Sequence, residues 1–287
     1  MNTIRLLTDS IANLPHEVII ENQIEVVPVN IIIDDKVYKD TELTLDDYFK
    51  LITDAQGKNK LNSNTSFPSP GDFAEAYVRL AEAGATDIIS VHVSRKASGI
   101  EWSVLTAKTL VESKVRVHFV DSGSAGMARG FMLLEAAEAL RKGESVDAAI
   151  LAIEEVKKKI GLLYLASDLD QLQARGRTNG INEVVESGIK SRALINVSNG
   201  ESNVVSRHRT LSDGINTLLE NLKSILNQRQ LKGLAILHGN VPDQASRLKA
   251  RLINEFSYSD RIYINNLVPS LAVHFGYGAL GITYLCD

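Results

Sequence analysis

A single cysteine, Cys286, stands in the chain of 287 residues, so no disulfide can form within it and no cysteine-ligated zinc site can be built. Prolines number six and tryptophan one, which leaves no proline-rich linker and no low-complexity tract. No apolar run approaches the ~20 residues that a membrane-crossing helix needs. Val26–Ile33 comes nearest and is broken by Pro28 and Asn30. Positive charge is not in excess: Lys and Arg total 31 against 35 Asp and Glu, a formal charge of −4, which argues against a general nucleic-acid surface. Phosphate-cradling loops are missing too. Neither a Walker loop nor Gly-x-Gly-x-x-Gly follows a strand, and no Gly-x-Ser-x-Gly elbow occurs. The six histidines show no metal-ligand spacing, so no metal or cofactor is expected. The opening residues Met1–Arg5 run straight into a strand-like segment without a signal-peptide core, which predicts a cytoplasmic protein with no stable membrane insertion.

What is present is an alternation of strands and helices. Ile4–Leu7 reads as a buried strand ending in Thr8-Asp9-Ser10, and a helix follows Leu14-Pro15. Ile24–Ile33 reads as one long strand, with a hairpin arm at Val37–Asp40 and a helix opened by Thr44. Asp87–Val93 is a buried strand ending at Ser94, and Val115–Val120 another, ending in Asp121-Ser122. Helices follow at Trp102–Val111, Met127–Arg141 and Val146–Lys159. This predicts a parallel α/β sheet over residues 1–160, with polar strand ends gathered at the carboxyl edge where such sheets bind ligands.

From residue 161 to 287 hairpins and helices mix, an α+β pattern. Leu162–Ala166 is a strand, and Ser167–Gln173 a short helix leading to Arg175-Gly176-Arg177. Asn199-Gly200 turns a hairpin, and the apolar stretch Leu271–Val273 precedes the closing strand at Gly281–Leu285.

Two stretches draw chemical attention. Asn64–Phe73 (N-T-S-F-P-S-P-G-D-F) reads as a stiff loop, since Pro68 and Pro70 fix their own φ and extend the residues before them. Ser69 or Asp72 then caps a helix, and Thr65 and Ser66 offer hydroxyls near its N-terminus, where an anion could seat. His274 precedes a glycine-rich bend, Gly276-Tyr277-Gly278, which lets backbone approach closely. His92 and His118 fall mid-strand and read as satisfied core or sheet-face residues.

Taken in order, Thr8-Asp9-Ser10, Thr65–Pro70, Ser94 with Ser98-Gly99, Val120-Asp121-Ser122, Gly176-Arg177, Asn199-Gly200-Glu201, Arg207 with Arg209, and His274-x-Gly-x-Gly-Ala-Leu-Gly resemble the DegV family. These are bacterial fatty-acid-binding proteins that serve as the lipid-carrying subunit of fatty acid kinase. The resemblance spans nearly the whole chain. It implies a two-domain fold with the ligand between the domains and a long-chain fatty acid in an apolar tunnel. Thr65, Ser94 and His274 would hold the carboxylate, with Ser66, Ser98 and Gly276 close by. Arg177 and Arg209 would dock the kinase, which supplies ATP and Mg²⁺ itself. The chain departs from the family pattern at Arg95, Ile100, Glu101, Arg192, Ala193 and Tyr277. Two other readings remain open on the residues alone. One is a serine-dependent acyl hydrolase or transferase, with Ser94 or Ser98 as nucleophile, His274 as base, and Asp9 or Asp121 orienting it. The other is a nucleotide- or sugar-phosphate-binding α/β protein.

Overall fold

A computed structural model describes residues 3–53, 61–167, 192–198 and 200–287. Four strands, β1 (Ile4–Asp9), β2 (Glu25–Val27), β6 (Asp87–His92) and β7 (Arg116–Asp121), form a parallel sheet in the order β2-β1-β6-β7. Every residue of β6 is buried, as expected of a parallel strand covered on both faces.

The long strand expected at Ile24–Ile33 is two strands. Pro28 has no N–H to give a sheet ladder, so the chain leaves the parallel sheet after β2. It re-pairs as β3 (Asn30–Ile33) in an antiparallel sheet of order β4-β3-β5, where β4 is Lys36–Lys39 and β5 Ser63–Ser66. The stretch expected to be a stiff loop from Asn64 therefore begins as strand, with Thr65 opposite Ile31. The prolines stiffen only what comes after it.

A six-stranded sheet is built from β8 (Ile160–Ala166), β9 (Arg192–Ser198), β10 (Glu201–His208), β11 (Leu231–His238), β12 (Ile262–Asn266) and β13 (Leu280–Cys286). Its order is β10-β9-β8-β13-β11-β12, and all pairs but β11–β12 are antiparallel. Side chains alternate across β8: Leu162, Tyr164 and Ala166 enter one core, Leu163 and Leu165 the other.

The helices are α1 (His16–Glu21), α2 (Leu45–Ile52), α3 (Pro70–Glu82), α4 (Ile100–Val111), α5 (Met127–Arg141), α6 (Val146–Lys157), α7 (Leu211–Leu226), α8 (Pro242–Phe256) and α9 (Pro269–Phe275). Phe73, Tyr77 and Val104 of α3 and α4 cover the outer face of the parallel sheet. Leu218, Leu222, Leu248 and Leu252 of α7 and α8 cover the outer face of the six-stranded sheet. Between the sheets runs α5, buried on nearly every side. A helix apolar all round belongs in a core. Phe131 and Met132 accordingly share one hydrophobic cluster with Leu6 and Ile89 on one side and Leu162 and Ala235 on the other.

The apolar stretch Leu271–Val273 lies inside α9, because Pro269 sets the first turn of a helix and so short a run has no period of its own. This helix reaches back from the second sheet to pack on β3, β5 and α2. No helix among the described residues is long and apolar enough to cross a membrane.

Candidate functional site

A cavity of about 530 Å³ lies where α9, β5 and the loop after β6 meet β8 and the β9–β10 hairpin. That is within the ~300–1,000 Å³ usual for small-molecule sites. Its apolar wall comes from Ile11, Val29, Val93, Leu162, Val197, Leu271 and Phe275. Tyr164 also lines it and stacks flat on Phe275, with centroids 3.9 Å apart.

Thr65, Ser66, Ser94, Ser98 and His274 all border this one cavity. Thr65 Oγ1 lies 3.2 Å from His274 Nε2, across 209 residues of sequence. The pairing of β5 with β3 places Thr65, and one face of α9 places His274. Ser94 opens a tight turn in which its carbonyl accepts the N–H groups of Ala97 and Ser98, and its Oγ accepts Lys96 N–H at 3.2 Å. Ser98 Oγ accepts the N–H of Ile100 at the start of α4, and Ser66 Oγ accepts from Asn30 Nδ2 at 3.3 Å.

Both cations on the wall have carboxylate partners. Arg95 pairs with Asp121 at 2.9 Å and Glu101 at 3.1 Å, and Lys96 with Glu201 at 2.8 Å. A ligand's polar end therefore meets hydroxyls and an imidazole more than free positive charge.

The model of a family described as uncharacterised DegV proteins matches residues 3–287. The chain belongs to the DegV family. A DegV domain-containing protein of Listeria innocua is 28% identical over 282 residues, covering 98% of each chain. Another, of Halalkalibacterium halodurans, is 29% identical over the full length of both. Among solved structures, a DegV family protein from Thermus thermophilus, described for fatty acid binding, superimposes with a TM-score of 0.87 at 25% identity over 99% of each chain. DegV of Bacillus subtilis, described as a fatty acid binding protein, does so with 0.86 at 25% identity over all of both. The parallel-sheet part followed by a second sheet is thus the two-domain DegV architecture.

Gly276 and Arg209 of this DegV chain do not line the cavity. Gly276 follows α9 at φ 80°, and a Cβ there would fall 2.1 Å from Ser167 Oγ, so its part is to turn the backbone tightly. Arg209 is exposed in the bend after β10, and Arg177 lies outside the described residues. The anion seat expected at the N-terminus of α3 is filled from within. Asp72 closes a capping box with Ser69 and accepts Lys39 Nζ at 2.9 Å.

The strand ends are also mostly committed to structure. Asp9 is fully buried and accepts Arg129 Nη1 and Nη2 at 2.7 and 2.9 Å. It also accepts from His92 Nδ1 at 2.8 Å. His92 Nε2 lies 2.7 Å from Ser90 Oγ, which lies 2.9 Å from the Tyr77 hydroxyl. Burial pushes the Asp9 carboxyl up, but the Arg129 and His92 partners pull harder and hold it well below the usual range. Burial lowers His92 despite its Asp9 bond, and raises Tyr77. A neutral imidazole carrying its proton on Nδ1 satisfies the whole chain: Tyr77 donates to Ser90, Ser90 to His92, and His92 to Asp9.

This is a serine–histidine–aspartate geometry with no access, since Ser90, His92 and Asp9 are each 0% exposed. The acids proposed to orient His274 are engaged here and with Arg95. That weakens the hydrolase reading. His118 accepts a sheet-face role beside Asp87 at 2.9 Å. Sequence reading missed Arg129, although a lone arginine in the otherwise small and apolar start of α5 is the signal of a buried ion pair.

Acid should loosen this core. The unfolded chain takes a proton at His92 below about pH 6.5, while the folded chain resists it, so the stability present above that pH falls as pH descends. Asp9 adds a second loss below about pH 4. Asp40, raised by burial, works the other way above about pH 4, where the folded chain takes its proton before the unfolded one does. Urea titrations from pH 8 to 5 should show stability declining by up to ~1.4 kcal/mol per pH unit from His92. A pH slope that is unchanged in His92→Gln refutes this.

Proposed function

We propose that this DegV protein binds a long-chain fatty acid, its tail along the apolar wall and its carboxylate among Thr65, Ser94 and His274, with Ser66 and Ser98 adjoining. The observation that carries the reading is the Thr65–His274 pair, 3.2 Å apart on the wall of an otherwise largely apolar cavity. Tail burial contributes ~0.8 kcal/mol per methylene, so ~14 methylenes supply roughly 11 kcal/mol before association costs. The headgroup contacts then need only offset the desolvation of an acid, which hydroxyls and an imidazole suffice to do.

Native mass spectrometry of the protein purified from bacteria should show a retained fatty acid, and thermal-shift screens should respond to fatty acids and not to nucleotides. The reverse response favours the nucleotide-binding reading. Replacing Thr65, Ser94 or His274 by alanine should each weaken fatty-acid binding about tenfold, the worth of one hydrogen bond to a charged group, with the fold intact. Wild-type affinity in all three sinks the reading.

In this reading the protein is a carrier that presents the carboxylate to a separate kinase for acyl-phosphate formation, with Arg209 and Arg177 as its docking residues. It has no phosphoryl-transfer chemistry of its own. Protein mixed with ATP, Mg²⁺ and fatty acid, without a partner, should yield no acyl-phosphate, and an activated acyl ester should leave no acyl-serine in the mass spectrum. Turnover in the first case or a covalent adduct in the second makes it an enzyme.

A further inference from the structure

The three-stranded sheet grips α9 at both ends. At the helix start the grip is Asp40, the residue following β4, whose own N–H donates to Val29 O at 2.8 Å. Its carboxylate is 3% exposed and accepts two hydrogen bonds from one residue: Ser270 N–H at 2.8 Å and Ser270 Oγ–H at 2.5 Å. At the helix end the grip is Thr65 of β5, against His274. Ser270 and His274 are four residues apart, so they stack on one face of α9, and both reach the cavity wall.

Two features set the Asp40 contact apart from ordinary packing. The residue before the helix, Val268, gives no side-chain cap, so the acceptor for the first turn comes from 230 residues away. And Asp40 is held by amide and hydroxyl donors where a buried carboxylate is more often offset by a cation. A carboxylate bonded to both the N–H and the Oγ of one residue fixes the helix along its axis and about it.

We infer that Asp40 is a positioning residue for the fatty acid headgroup: through Ser270 it sets the rotation of α9, so that the His274 imidazole meets Thr65 and the ligand carboxylate. The inference rests on the headgroup reading above, and Asp40 itself does not line the cavity.

A double-mutant cycle on the delipidated full-length protein, with palmitate as probe and melting followed in parallel, separates positioning from mere stability. Asp40→Asn should weaken palmitate binding about tenfold in the wild-type background, the loss of one hydrogen bond's worth at His274. In the His274→Ala background the same change should have little further effect. Ser270→Ala should behave likewise and carries the test if Asp40→Asn does not fold. Wild-type affinity in Asp40→Asn, or a loss that adds in full to that of His274→Ala, overturns the positioning role while leaving the headgroup reading in place. Wild-type affinity in His274→Ala strikes the headgroup reading itself, and the positioning role falls with it.

Discussion

Val197→Trp should reduce fatty-acid affinity by roughly a hundredfold or more while leaving the protein folded. Val197 lines the cavity from β9, one strand in from the sheet edge, and is 8% exposed, so a larger side chain there can grow into the empty space. Displacing even four methylenes of a tail removes ~3 kcal/mol, about two hundredfold in affinity. That exceeds what any single headgroup substitution should remove, because the tail supplies most of the affinity. Competition with a fluorescent fatty acid, alongside a melting curve, measures it. Undiminished binding with a native melting curve would mean that the tail does not occupy this cavity.

Asp9→Asn should be the most damaging exchange for the fold, lowering stability by about 3–5 kcal/mol. It leaves the Arg129 guanidinium buried at 0% exposure without its counter-charge, and weakens the acceptor for His92. For a chain of this size the melting midpoint should drop on the order of 10 °C. Adding Arg129→Met to Asp9→Asn should recover part of the loss, since a buried ion pair removed from both sides is often near neutral. Calorimetry on the two variants decides the matter. A double variant less stable than Asp9→Asn by the full cost of a second lesion would show that Arg129 acts through something other than this pair.

The alternation of buried strands with helices was legible before 160 because β1, β6 and β7 are short apolar runs with polar ends, a pattern that needs no tertiary information. The break at Pro28 was visible as a residue but not as a change of sheet, because which neighbour Ile31 would find depends on Ser63–Ser66, thirty residues later. Thr65, Ser94 and His274 could be named from family resemblance, whereas the Thr65–His274 contact depends on α9 crossing back to the first sheet, which no local periodicity encodes. The strand-end rule pointed to Asp9 and Asp121 along with Ser94. It could not foresee Arg129 and Arg95, whose guanidinium groups turn those two carboxylates into structural anchors. Asp40 escaped for a similar reason: Pro269 suits a helix start, but nothing local brings Asp40 to Ser270, 230 residues away.

The 209 residues between Thr65 and His274 set a schedule for the newborn protein. At translation speeds of about 5–20 residues per second, the second arrives roughly ten to forty seconds after the first. Throughout that interval Val29 and Val93 lack α9 to roof them, so the half-made vessel leaves apolar wall uncovered. A fatty acid held as proposed can be captured only by a finished chain, and a ribosome stalled short of α9 releases a product with a wall but no latch.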